Sequence, residues 1–112
     1  MNESELLSNC LEYLQILRNQ GKAWYMRVNS GMAFFGSGKK KYAIRLAQEG
    51  TADILIIQWY EPEGAIVTWV ETKADKGAQS PEQVAFQKEV EEYGCRYEIV
   101  RDLDELITIT EG

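Results

Sequence analysis

Glu71 and Lys73 flank Thr72 at the end of the apolar stretch Ala65–Val70. On a strand, residues two apart share a face, so this acid and this base project together while Thr72 points away. Charges grouped at the end of an apolar strand are costly unless they have something to bind. Asp53 opens the run Asp53-Ile54-Leu55-Ile56-Ile57, and Glu61-Pro62-Glu63-Gly64 reads as the turn that joins this run to the next strand. In the antiparallel pair so formed, Asp53 falls beside Glu71. Two carboxylates and the Thr72 carbonyl suit a hard cation held through oxygen, Mg²⁺ or Mn²⁺. Such a cation polarises a phosphate and lowers the pKa of water from about 15.7 towards neutrality. Lys73 would orient the water or offset charge developing on phosphoryl oxygens. Taken alone, the same residues also fit a cross-strand salt bridge.

Composition narrows the chemistry. The chain of 112 residues has no histidine, which removes the usual general base, the commonest zinc ligand and both Ser-His-Asp and Cys-His catalysis. Cys10 and Cys95 lack metal or disulfide spacing and read as two reduced, buried thiols. No apolar run reaches the roughly 20 residues of a membrane helix, and no leader pattern opens the chain, so the expected setting is cytoplasmic, with no membrane partner. The net charge of −6 is unevenly spread. Residues 22–50 carry Lys22, Arg27, Lys39, Lys40, Lys41 and Arg45 against Glu49, a sum of +5; residues 82–112 carry nine acids against three bases, a sum of −6. Such a basic segment can face a polyanion despite the total, or be a solvated loop tip.

The length predicts one domain, residues 1–112. Helical spacing from Ser4 to Asn19 is followed by a stop at Gly21. Trp24–Val28 reads as a strand. Residues 33–44 read as a hairpin with the lysines at or near its tip. Residues 53–57 form an unbroken apolar strand, expected to be covered on both faces. Ser80-Pro81-Glu82-Gln83 is a helix start, with Ser80 as cap and Gln83 closing the box. The spacing predicts a buried helix face made of Val84, Phe86, Val90 and Tyr93. Tyr97–Val100 is a further strand, Asp102–Leu106 a short helix, and Ile107–Thr110 an extended tail. Gln83 has two roles open to it: capping, or pointing its amide at the acidic site.

The ordered stretches Arg27-Val28-Asn29-Ser30-Gly31, Gly50-Thr51-Ala52-Asp53-Ile54-Leu55, Val70-Glu71-Thr72-Lys73 and Gly77 to Phe86 resemble the VRR-NUC domain of the PD-(D/E)XK nuclease superfamily. With Gly94 and Tyr97–Val100, the resemblance covers nearly the whole chain. It implies an α/β fold with a restriction-endonuclease-like core, a mixed central sheet of about four to five strands flanked by helices. It implies a metal-dependent phosphodiesterase in which Asp53 and Glu71 are ligands and Thr72 lends its carbonyl. Lys73 is then the motif lysine and Gln83 the helix glutamine. An acid from the first helix is expected too: Glu3, with Glu5 and Glu12 as substitutes. Ala52 departs from the proline often found before the motif aspartate, a change that affects rigidity more than chemistry.

Small standalone members of this family resemble phage or prophage proteins that act as homodimers, in the manner of Holliday-junction resolvases. The implied function is therefore a structure-selective DNA endonuclease acting on branched DNA in a bacterial host cell. Arg27, Asn29, Lys39, Lys40, Lys41, Arg45 and Lys76 are the candidate DNA contacts. No hydrogen-bonding code for bases is legible, so shape and backbone would be read. Some of Trp24, Phe34, Phe35, Trp59 and Trp69 would lie in a dimer interface. The competing reading is a catalytically idle nucleic-acid-binding or assembly protein that keeps the fold.

Overall fold

The first helix begins where Asn2 caps it. The Asn2 side chain accepts a hydrogen bond from the Glu5 N–H at 2.8 Å, and helix α1 runs Glu3–Asn19. Glu3 and Glu5 in its first turn and Arg18 in its last complement the helix dipole. Gly21 ends it in the left-handed region. Leu6, Cys10, Leu14 and Leu17 bury one stripe.

In this computed structural model, which describes residues 1–111, the strands are β1 (Trp24–Arg27), β2 (Met32–Phe35), β3 (Tyr42–Arg45), β4 (Ile54–Tyr60), β5 (Gly64–Thr72) and β6 (Arg96–Val100). Helix α2 (Pro81–Glu92) precedes β6, and α3 (Leu103–Glu111) follows it. A four-stranded mixed sheet has the order β1-β4-β5-β6. Its first two pairs are antiparallel, and β5 and β6 are parallel, joined by α2 as the crossover. The strands β2 and β3 form a separate hairpin, with Gly38–Lys40 as a short 3-10 turn at its tip.

Strand alternation sorts the sheet into two faces. Ile54, Ile56, Val70 and Val100 pack with the α1 stripe and with Leu106 of α3. On the other face Ala52 and Tyr97 pack with Phe86 of α2, joined by Trp69 and Ile99. Trp69 meets Phe86 edge-on, with ring centroids 5.1 Å apart. The helices therefore lie α1 and α3 on one side, α2 on the other.

The α2 start is as the sequence predicts: Ser80 and Gln83 form a reciprocal capping box with Pro81 in the first turn. Gly50 has φ +88°, and a Cβ there would overlap the main-chain carbonyl of Glu82. The loop before Asp53 thus lies directly on the first turn of α2.

Several expectations are corrected. Val84 and Tyr93 of α2 are exposed, and Phe86 is its one buried residue: Val84, two residues from Phe86, points to another side of the helix, and α2 covers only part of its sheet face. For the same reason β4 is not covered on both faces: Ile54, Ile56 and Gln58 are buried, whereas Leu55 and Ile57 are only half-buried. Residues 107–110 are helical rather than extended. Asp102 accepts from the Glu105 N–H to start α3, and buried Thr110 docks on Tyr13 and Gln58. That packing overrides the strand preference of Ile107, Thr108 and Ile109. Cys10 is buried and Cys95 half-buried, both free. No helix is long and apolar enough to cross a membrane among the described residues.

Gly50→Ala should cost about 1–3 kcal/mol, since it adds both a positive-φ strain and an overlap with α2. Urea unfolding of the variant would measure it; an unchanged midpoint would contradict the close approach.

Candidate active site

The β4–β5 register sets Ile54 opposite Val70, and one step further along sets Asp53 opposite Glu71. Asp53 reaches across to β5: its Oδ2 accepts from the Thr72 N–H and from Thr72 Oγ1, both at 2.8 Å. This fixes the carboxyl and gives the Thr72 side chain a role that its sequence position did not signal.

Glu71 is 4% exposed, and its Oε1 has no hydrogen-bond partner. Burial, then the negative charge of Asp53 and a hydrogen bond to it, push the Glu71 carboxyl up to about 8, with Lys73 pulling the other way and Glu3 adding to the rise. An orphaned carboxylate oxygen at such a depth is rare and costly. The effect of Asp53 reaches both faces of the sheet. The Cys10 thiol is raised to about 11, by burial first and by Asp53 second. Tyr97 is raised to about 12 by burial, against a lowering hydrogen bond from Gln79, with Glu71 and Asp53 adding to the rise.

Lys73 continues the pairing of β5 with β6, its N–H donating to the Val100 carbonyl at 3.0 Å. No ion pair joins it to Asp53 or Glu71 among the described residues. The salt-bridge alternative therefore does not describe this lysine. Glu3, at the start of α1, accepts from the Ala74 N–H at 3.2 Å. A Cβ on Gly77 would stand 3.4 Å from both Glu3 Oε1 and Lys73 Cδ, which places the two side chains at the same corner. Glu5 instead bonds Asn2, and Glu12 is exposed. Of the three first-helix acids, Glu3 is the one beside the site.

Arg101 was not signalled by the sequence. Its Nη1 donates to the main-chain carbonyls of Ala74 at 2.8 Å and Gly77 at 2.9 Å, with Asp75 at 3.3 Å. The turn that follows Lys73 is thus tied from the end of β6, a link between segments distant in sequence that no local motif announces.

The remaining predicted residues are spread more widely. Gln83 spends its carbonyl on the Ser80 N–H, the capping role, with its amide nitrogen still free to donate. Lys76 is exposed in the turn after Lys73. Arg27 is exposed at the end of β1, and the next residue, Val28, donates its N–H to the Asp53 carbonyl at 2.8 Å. Asn29 Oδ1 accepts from the Gly31 N–H, and Arg45 Nη1 donates to the Ser30 carbonyl. Lys39, Lys40 and Lys41 are exposed at the far end of the hairpin, away from the carboxylates. Among the described residues, no three acids or thiols form a cluster able to hold a metal on their own. What the strands bring together is two carboxylates, Asp53 and Glu71, with Lys73 and Glu3 at the rim. No family model, no curated protein and no solved structure matches this chain.

The Glu71 shift has a testable sign. The folded group keeps its proton up to about 8 while the unfolded one loses it near 4.5. Its contribution is fully present below 4.5, falls as pH rises through that window and is lost by about 8. In EDTA, Glu71→Gln should flatten the fall in melting temperature between pH 5 and 8. An identical slope in both proteins would contradict the assignment.

Proposed function

We propose that this chain is a metal-dependent DNA endonuclease with a restriction-endonuclease-like core, of the VRR-NUC type within the PD-(D/E)XK superfamily. The observation that carries the proposal is the buried, unpartnered Glu71 Oε1 opposite the anchored Asp53 carboxyl. A buried Glu71 carboxyl whose proton is held by burial and by the charge of Asp53 becomes a good site once a cation replaces that proton.

The donor set fits a hard divalent ion. Asp53, Glu71 and the Thr72 carbonyl would hold it, with Glu3 as a further oxygen. Mg²⁺ keeps several waters and takes one or two carboxylates, so the absence of a third clustered acid is compatible with it. When bound, Mg²⁺ or Mn²⁺ would polarise the scissile phosphodiester and acidify a water.

The chain's own residues do the rest. Thr72 holds Asp53 Oδ2 so that the carboxylate keeps one orientation. Lys73, two residues from Glu71 on the same strand face, would orient the attacking water and offset charge on the non-bridging oxygens. Glu3 and Arg101 hold the turn after Lys73 from two sides. The free amide of Gln83 donates to a phosphate oxygen or to water. Arg27, Asn29, Arg45 and Lys76 contact the backbone near the cut, and Lys39, Lys40 and Lys41 contact it further along. Branched DNA, read by shape, is the proposed substrate, cut by a homodimer in the cytoplasm of a bacterial host, the protein being phage- or prophage-encoded.

A cleavage panel of labelled four-way, flap, nicked and linear DNAs with Mg²⁺, Mn²⁺ or EDTA tests this. Cation-dependent cutting is expected, strongest on branched substrates, and Lys73→Ala should lower kcat by about 100-fold or more. Cutting that persists in Glu71→Ala would overturn the site. Equal cutting of every substrate would remove the branched-DNA part alone, and binding without cutting would favour the idle alternative.

A further inference from the structure

The β2–β3 hairpin buries nothing in the chain that carries it. Its strands pair only with each other, and almost all of its residues are exposed. Cross-strand pairing puts Ala33, Phe35, Tyr42 and Ile44 on one side, with Phe35 stacked on Tyr42 at 5.7 Å. Met32, Phe34, Ala43 and Arg45 take the other side. A lone two-stranded hairpin is at best marginal in water. One that leaves Phe34 78% and Tyr42 57% exposed calls for an apolar surface to lie on.

The body offers such a surface. Trp24 and Met26 of β1 share a sheet face with Leu55, Ile57 and Trp59 of β4. This is the face on which α2 packs against Trp69 and Tyr97, leaving the β1–β4 half open. There Trp59 is 69% exposed, and Trp24 and Met26 are also exposed.

We propose that these two surfaces are the halves of one symmetric interface, in which the arm of each copy lies across the open β1–β4 face of a second copy of this chain. Three observations favour that occupant. Phe35, Tyr42 and Ile44 on one side of the arm and Trp24, Met26 and Trp59 on the face are each 40% or more exposed, so arm and face together can supply much of the roughly 800 Å² per partner that a standard-size interface buries. A two-fold arrangement satisfies both surfaces at once, because each copy gives an arm and receives one. The charges are complementary as well, since the segment that contains the arm sums to +5 and α2, which lies on the same sheet face, carries Glu82, Glu89, Glu91 and Glu92 against Lys88. Nucleic acid would satisfy Lys39, Lys40 and Lys41 but leave the Phe35–Tyr42–Ile44 side without an apolar partner.

The inference gives the homodimer of the proposed function a surface, and its test needs neither DNA nor metal. Sedimentation of the wild-type protein alone at micromolar concentration should give twice the chain mass. Phe35→Glu on the arm and Trp59→Glu on the face should each weaken the dimer by about thirtyfold or more. Unchanged far-UV circular dichroism would separate dissociation from unfolding; if Phe35→Glu unfolds, Trp59→Glu alone decides. A wild-type monomer at high micromolar concentration would overturn the proposal, whether its arm folds back on its own sheet or becomes protected only when DNA is added. So would a dimer that survives both substitutions. A monomer that cuts DNA would overturn this inference and leave the nuclease reading intact.

Discussion

The antiparallel register of β4 and β5 is the constraint on which the site depends. Pairing Ile54 with Val70 puts both side chains in the core and, one step on, brings Asp53 against Glu71. A slip of one residue would turn Ile54, Ile56 and Gln58 out of the α1 side, so the core itself enforces the meeting of two carboxylates that would otherwise avoid each other. The cost appears at Glu71, whose carboxyl is buried, faces a like charge and has an oxygen with no partner. Stability supplied by the α1–sheet layer holds this unfavourable group in place.

The supports around that pair come from every layer. The first turn of α1 brings Glu3 to Ala74, and the end of β6 brings Arg101 to the same turn. Gly77 lies against both Glu3 and Lys73, while Gly50 lets the loop before Asp53 rest on α2. Rigid elements thus meet the site from three directions, and the residues between them are short turns. The hairpin is the opposite case: it leaves the body beside Asp53 and makes its own contacts only.

Much of this was legible in the residues because local rules and tertiary structure agree there. The α1 stripe, the Ser80–Gln83 box and the 61–64 turn are set by neighbours in sequence, and so is the alternation that puts Glu71 and Lys73 on one face. Most of the failures are long-range. Residues 107–110 have strand-like side chains, yet docking of Thr110 on Tyr13 and Gln58 makes them helical. The spacing predicted a buried α2 face of Val84, Phe86, Val90 and Tyr93, but Val84 and Phe86, two apart, do not share a helix side, and Val84 and Tyr93 lie in solvent. Arg101 acts on main-chain carbonyls, which carry no residue signature. Strand spacing put Asp53 beside Glu71, and the cross-strand register brings these two carboxylates together.

The central claim is that Asp53 and Glu71 share a divalent cation in place of a proton. Calorimetric titration of Mn²⁺ into the protein without DNA, at pH 7 and in buffers of different ionisation enthalpy, tests it most directly. Because the Glu71 carboxyl stands near 8 in the free protein, binding should release close to one proton per cation, and Glu71→Gln should abolish both the binding and the release. Binding with no proton release, or binding that Glu71→Gln leaves unchanged, would contradict it.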